Sequence, residues 1–78
     1  MNDYPELYPE LENRTLDEAI EAKKPVRLIF TTGYQCTALI EDYDCNVIRC
    51  KVKKRDHGQT IVQRWTVYRN GLSTIVQE

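Results

Sequence analysis

Tyr68-Arg69-Asn70-Gly71-Leu72-Ser73-Thr74-Ile75-Val76 joins two apolar runs late in the chain through an Asn-Gly pair. Between β-prone runs, Asn-Gly favours a two-residue type I′ hairpin turn, because both central residues accept φ > 0 at low steric cost. A cation and an amide, Arg69 and Asn70, stand at the same corner, so the stretch reads both as a turn and as a site. The fold is decided by whether the two runs it joins pair with each other or with different neighbours.

Working back from this corner, residues 26–31, 35–42, 46–54, 60–69 and 72–76 are five short runs rich in β-branched and aromatic side chains. Thr32-Gly33, Asp42-Tyr43-Asp44 and Asp56-His57-Gly58 separate them with turn-forming residues. Alternation assigns faces: Ile48, Cys50 and Val52 point one way, and Arg49, Lys51 and Lys53 the other. In the fourth run Ile61, Trp65 and Val67 share a face, which assigns Trp65 to core or interface. Upstream, Thr15-Leu16-Asp17-Glu18 reads as a capping box opening a helix over residues 15–23. Its apolar stripe is Leu16, Ala19 and Ile20, and Pro25 forces it to end. Residues 1–14 carry Pro5 and Pro9, which disfavour a continuous helix, and read as an acidic, mobile leader. The expectation is one domain over residues 15–78. It is mainly β with one N-terminal helix, a strongly bent five-stranded antiparallel sheet or open barrel of SH3 or OB type. An unpaired last strand as apolar as residues 72–76 invites pairing with another copy, and a heterologous contact of that kind closes into a ring or runs on as a fibre.

Composition narrows the function. Seventy-eight residues with 41% hydrophobic content fit one small domain with a modest core. The three cysteines (Cys36, Cys45, Cys50) form no CxxC pair and the single histidine, His57, falls in a turn, so no zinc site or complete disulfide framework is encoded and no cofactor is expected. With no apolar run long enough for a signal peptide or membrane span, the expected setting is cytoplasmic and away from membranes. No nucleophile set, acid–base pair or metal-ligand spacing points to an enzyme. The net charge of −1 divides into −5 over residues 1–23 and +4 over residues 24–78. The Lys51-Lys53-Lys54-Arg55 run reads first as an ordinary solvated face, and equally as one that attracts a polyanion.

Three blocks in order resemble the Sm-like superfamily and, within it, the bacterial Hfq-type RNA chaperones. They are the proline, apolar strand and turn glycine of residues 25–34; Ile40-Glu41-Asp42-Tyr43-Asp44, similar to I-E-x-F-D; and residues 68–76, similar to Y-K-H-A-I-S-T-V-V. The resemblance spans residues 24–76. It implies a homohexameric ring that binds single-stranded RNA on both faces in post-transcriptional regulation, without catalysis. On the proximal, pore-side face it implies U-rich RNA contacts from Cys45, Asn46, Arg69 and Asn70. On the distal face it implies A-rich contacts from Ile29, Gly33, Tyr34, Gln35, Thr37 and Thr74, to which Phe30 adds a second aromatic surface beside Tyr34. The resemblance also implies a sharp corner at Asn70-Gly71 in place of a hairpin, with the fifth strand pairing the first and the next subunit's fourth, and it puts Tyr68, Leu72, Ser73, Ile75 and Val76 at the subunit interface. The chain departs from the pattern where the family has a glutamine and a stacking aromatic, here Cys45 and Asn46, where it has the histidine, here Asn70, and in lacking late-helix arginines. These departures weigh the distal face above the proximal one. They also keep open a second reading, a ring or small barrel serving as a protein-interaction or assembly module with little RNA binding.

Overall fold

A computed structural model describes residues 4–77, with side chains from Glu10 onward. The chain forms helix α1 (Tyr4–Ala22), strands β1 (Val26–Phe30), β2 (Gln35–Tyr43), β3 (Val47–Asp56) and β4 (Gln59–Tyr68), a single 3-10 turn (Arg69–Gly71) and β5 (Leu72–Gln77).

The helix is longer than the sequence reading placed it. From Tyr4 on, the expected irregular leader is helical, and residues 1–3 lie outside the described residues. Proline is tolerated in a first turn because its missing N–H would have no intrahelical partner there, which accommodates Pro5; Pro9 lies past that turn, where proline gives up the bond to the carbonyl four residues earlier and crowds it, at a cost of about 3 kcal/mol. The Glu- and Leu-rich sequence between them has good helix propensity. Thr15 is therefore an interior residue and not a cap: its Oγ1 donates back to the Leu11 carbonyl at 3.2 Å. The helix closes as expected before Pro25. Lys23 takes φ 55°, its N–H reaches the Ile20 carbonyl, and Lys24 N–H reaches that of Ala19, the paired bonds of a Schellman cap.

The sheet order is β4-β3-β2-β1-β5, with every pairing antiparallel. β4 and β5, adjacent in sequence, therefore lie at opposite edges of one sheet. The type I′ expectation at Asn70-Gly71 is corrected: neither residue has positive φ, and the corner is 3-10. A hairpin turn would have sent β5 back along β4; the 3-10 turn carries it instead to β1, where Thr31 N–H donates to the Gly71 carbonyl at 2.9 Å. The positive-φ pair belongs to His57 (52°) and Gly58 (80°), which join β3 to β4 as a two-residue hairpin.

The strand register places Val26, Leu28, Ala38, Ile40, Ile48, Cys50, Val52 and Val67 on one buried face, and Leu16 and Ala19 of α1 cover it. The sheet bends at two irregularities, at Glu41 in β2 and opposite Ile29–Phe30 in β5. Beyond the Ala38↔Val52 pair β3 has no registered partner in β2, so Lys53–Asp56 and Gln59–Val62 form a two-stranded arm paired only within itself. Among the described residues no helix is long and apolar enough to cross a membrane.

Candidate nucleic-acid interface

Two surfaces gather the expected residues. The first is the corner where the β2–β3 turn meets the 3-10 turn. Asp44 closes the former: its Oδ1 accepts from Asn46 N–H (2.7 Å) and Val47 N–H (2.9 Å). These two donors hold the Asp44 carboxyl below its ordinary range. Arg69 N–H then donates to the Asn46 carbonyl at 2.9 Å, which sets Cys45, Asn46, Arg69 and Asn70 side by side. Cys45, Asn46 and Asn70 are exposed.

Arg69 is not. Its side chain is only 9% accessible and turns back beneath α1. Nε and Nη2 bond the Glu12 carboxylate, Nη2 also donates to Asn13 Oδ1 at 2.7 Å, and Nη1 donates to the Asp44 carbonyl at 2.6 Å. The guanidinium carbon lies 5.5 Å from the centre of the Tyr43 ring. Tyr43 Oη donates in turn to Asp17 Oδ1 at 2.6 Å, and that bond to a carboxylate raises the phenol above its usual range. The planar fork expected to face a base is thus committed to fastening the helix to the corner. The partners Glu12 and Asn13 escape a sequence reading that places residues 1–14 in a mobile leader.

The second surface begins at the β1–β2 turn. Phe30 N–H bonds the Tyr34 carbonyl (2.8 Å) and Gly33 N–H the Phe30 carbonyl (2.9 Å), with Gly33 at φ 95°. The tight loop folds Tyr34 over the open end of the core, 48% accessible, with its ring centroid 5.7 Å from that of Phe30. Trp65, on the core face of β4 opposite Cys50, brings its indole nearly parallel to Tyr34, at 25° and 6.4 Å between centroids. Its Nε1 donates to Gln63 Oε1 at 3.0 Å, and Lys54 Nζ stands 5.2 Å from the indole ring centre. Trp65 is half-buried and packs against the core, as its strand face implied, yet it also completes an aromatic row that the sequence reading gave to Phe30 and Tyr34 alone. Alternation with Val67 carried the first role; the second needed the loop's path. Phe30, Thr32, Tyr34 and Trp65 line an open depression there, together with Thr66 and Gly71.

The remaining distal residues are spread wider. Gln35 and Thr37 are exposed on β2, and Ile29 and Thr74 pair across β1 and β5 on the face away from the core. Of the expected interface residues, Leu72 and Ile75 pack against this chain's own core, Ser73 Oγ donates to the Ile29 carbonyl at 3.2 Å, Val76 is half-buried and Tyr68 is 67% accessible at the β4 edge.

The rest of the outer face is largely self-neutralised. Arg49 forms a two-bond pair with Asp42, one of them Nε to Oδ1 at 2.8 Å, and holds the Asp42 carboxyl low. Arg64 and Lys51 share Glu41, at 3.0 and 3.7 Å. Burial pushes the Cys50 thiol up to about 11 and raises Cys36 as well, so neither is a ready thiolate. Among the described residues no group of three or more His, Cys, Asp or Glu side chains is placed to hold a metal ion. No family model and no curated protein matches the sequence.

Proposed function

We propose that the protein is a single-stranded RNA-binding, Sm-like ring protein, an Hfq-type chaperone or post-transcriptional regulator of the cytoplasm rather than an enzyme. The observation that carries this reading is the row Phe30–Tyr34–Trp65 beside Lys54. Aromatic faces hold unstacked bases at roughly 1–3 kcal/mol per base, and a nearby ammonium serves the phosphate that accompanies each one. Two edge strands at opposite ends of the sheet, β4 and β5, supply complementary surfaces for head-to-tail assembly, and ring closure is its soluble outcome. Because Arg69 is already engaged by Glu12, Asn13 and Asp44, A-rich RNA on the aromatic face is favoured over U-rich RNA at the corner.

A second reading has one observation in its favour. With its arginine sequestered and Glu12 alongside, the corner face offers little to RNA and suits a ring that works as a protein-assembly module. Size-exclusion chromatography with light scattering, run with and without A-rich and U-rich oligoribonucleotides, separates the two. A ring-sized mass that takes up A-rich RNA more tightly than U-rich RNA at one salt concentration is the expected result. A monomer overturns the ring, and a ring that ignores both RNAs leaves the assembly reading.

A further inference from the structure

Cations that already have an acidic partner contribute little to binding a polyanion, so the informative cations are those without one. Arg49, Lys51, Arg64 and Arg69 are each paired with a carboxylate. Lys53, Lys54 and Arg55 are consecutive, exposed and, among the described residues, without a carboxylate partner within salt-bridge distance, and they lie on the two-stranded β3–β4 arm. Lys53 alternates to the outer side and Lys54 to the core side, so the arm presents positive charge on both of its faces. The only acid on the arm, Asp56, lies at its tip next to His57.

A groove of about 920 Å3 runs along the base of this arm, with Lys23, Lys51, Lys53 and Lys54 on its walls and the β2 residues Gln35 and Thr37 exposed beside them. Tyr34 lines both this groove and the aromatic depression, so the two adjoin at that residue. A single nucleotide strand laid across that junction would set a base against the Tyr34–Trp65 row and its phosphates beside the lysines.

On the premise that the protein binds single-stranded RNA, we propose that the β3–β4 arm is the phosphate track of the site. Lys53, Lys54 and Arg55, with Lys23 across the groove, hold the sugar–phosphate backbone of the strand whose bases lie on the aromatic row. The track supplies affinity without reading sequence, because phosphate contacts position a strand and base contacts specify it.

The test is a salt titration of a fluorescent A-rich oligoribonucleotide against the full-length protein, with the log of the binding constant plotted against log salt between about 50 and 200 mM. Each phosphate contact to a single strand contributes about 0.7 to the slope, so the triple variant Lys53→Gln, Lys54→Gln and Arg55→Gln is expected to flatten it by about 2 for each subunit the strand crosses. It should weaken A-rich and U-rich binding by the same factor. The charge-preserving variant Lys53→Arg, Lys54→Arg and Arg55→Lys keeps the slope, and circular dichroism melts check that both variants are folded. Trp65→Leu is expected to lower affinity for the A-rich strand while leaving the slope unchanged. An unchanged slope in the glutamine variant, or a change in its base preference, overturns the track while leaving RNA binding intact. Failure of the unmodified protein to bind either RNA overturns the RNA reading and the track with it.

Discussion

The Arg69 guanidinium ties α1 to the corner between the β2–β3 turn and the 3-10 turn, through Glu12, Asn13 and the Asp44 carbonyl. Its position at an Asn-Gly corner marks it in the sequence, but its partners Glu12 and Asn13 lie 57 and 56 residues away, in a segment whose prolines argue against helix. The pairing therefore became visible only with the path of α1. Arg69→Ala leaves Glu12 without its cation and the Asp44 carbonyl without a donor, so a loss of roughly 1–3 kcal/mol is expected in a denaturant titration. Arg69→Lys should recover part of it, since an ammonium keeps the charge but not the fork. Asp44, two residues before Asn46, has the opposite history: its turn role follows directly from the tendency of Asp to bond the backbone two and three residues on. Its folded-state carboxyl is held low, so its stabilising contribution is present above the ordinary carboxylate value near about 4 and is lost as pH falls through the depressed folded value. Asp44→Asn, which keeps an acceptor but does not titrate, should make acid unfolding less steep when followed by circular dichroism.

At the scale of elements, all five strands were legible, because alternation and turn residues are local signals. Ile48, Cys50 and Val52 are buried as their spacing required, and the β4 face carrying Trp65 and Val67 is the core face. The helix start was not legible. A capping box at Thr15 and prolines at 5 and 9 both point to a later beginning, and only the continuous backbone shows them to be interior. The helix attaches to the sheet through Leu16 and Ala19, fully or almost fully buried, while Leu11 is 56% accessible. Leu16→Ala is expected to cost about 2–5 kcal/mol, enough to unfold much of the population of a small domain. Removal of residues 1–9 should instead shift the thermal midpoint little, because Glu12, Asn13 and the core contacts of Leu16 and Ala19 remain. A truncation as damaging as Leu16→Ala would show that the early turns carry packing of their own.

For the molecule as a whole, the aromatic row was half legible. Phe30 and Tyr34 are near each other in sequence, whereas Trp65 and Lys54 reach them only because β4 pairs with β3 across the bent sheet. The open edges belong to this scale too. If β4 and β5 meet in neighbouring copies, assembly is linked to folding, and the thermal midpoint should rise with protein concentration. A midpoint independent of concentration over a wide range, with a monomer mass, argues for two edges that stay solvated.

The placement of β4 and β5 also sets the order in which the sheet can form. Contacts among β2, β3 and β4 join neighbours in sequence, and the His57-Gly58 hairpin closes the shortest of these loops. The β1–β5 ladder pairs Leu28 with Ile75 and Val26 with Gln77, so it must close a loop that contains every other strand. Loop closure of that length is entropically costly before its contacts reward it, so this ladder is expected to close late in folding. Until β5 arrives, β1 presents a bare apolar edge, and a nascent chain is most open to misassociation during that interval.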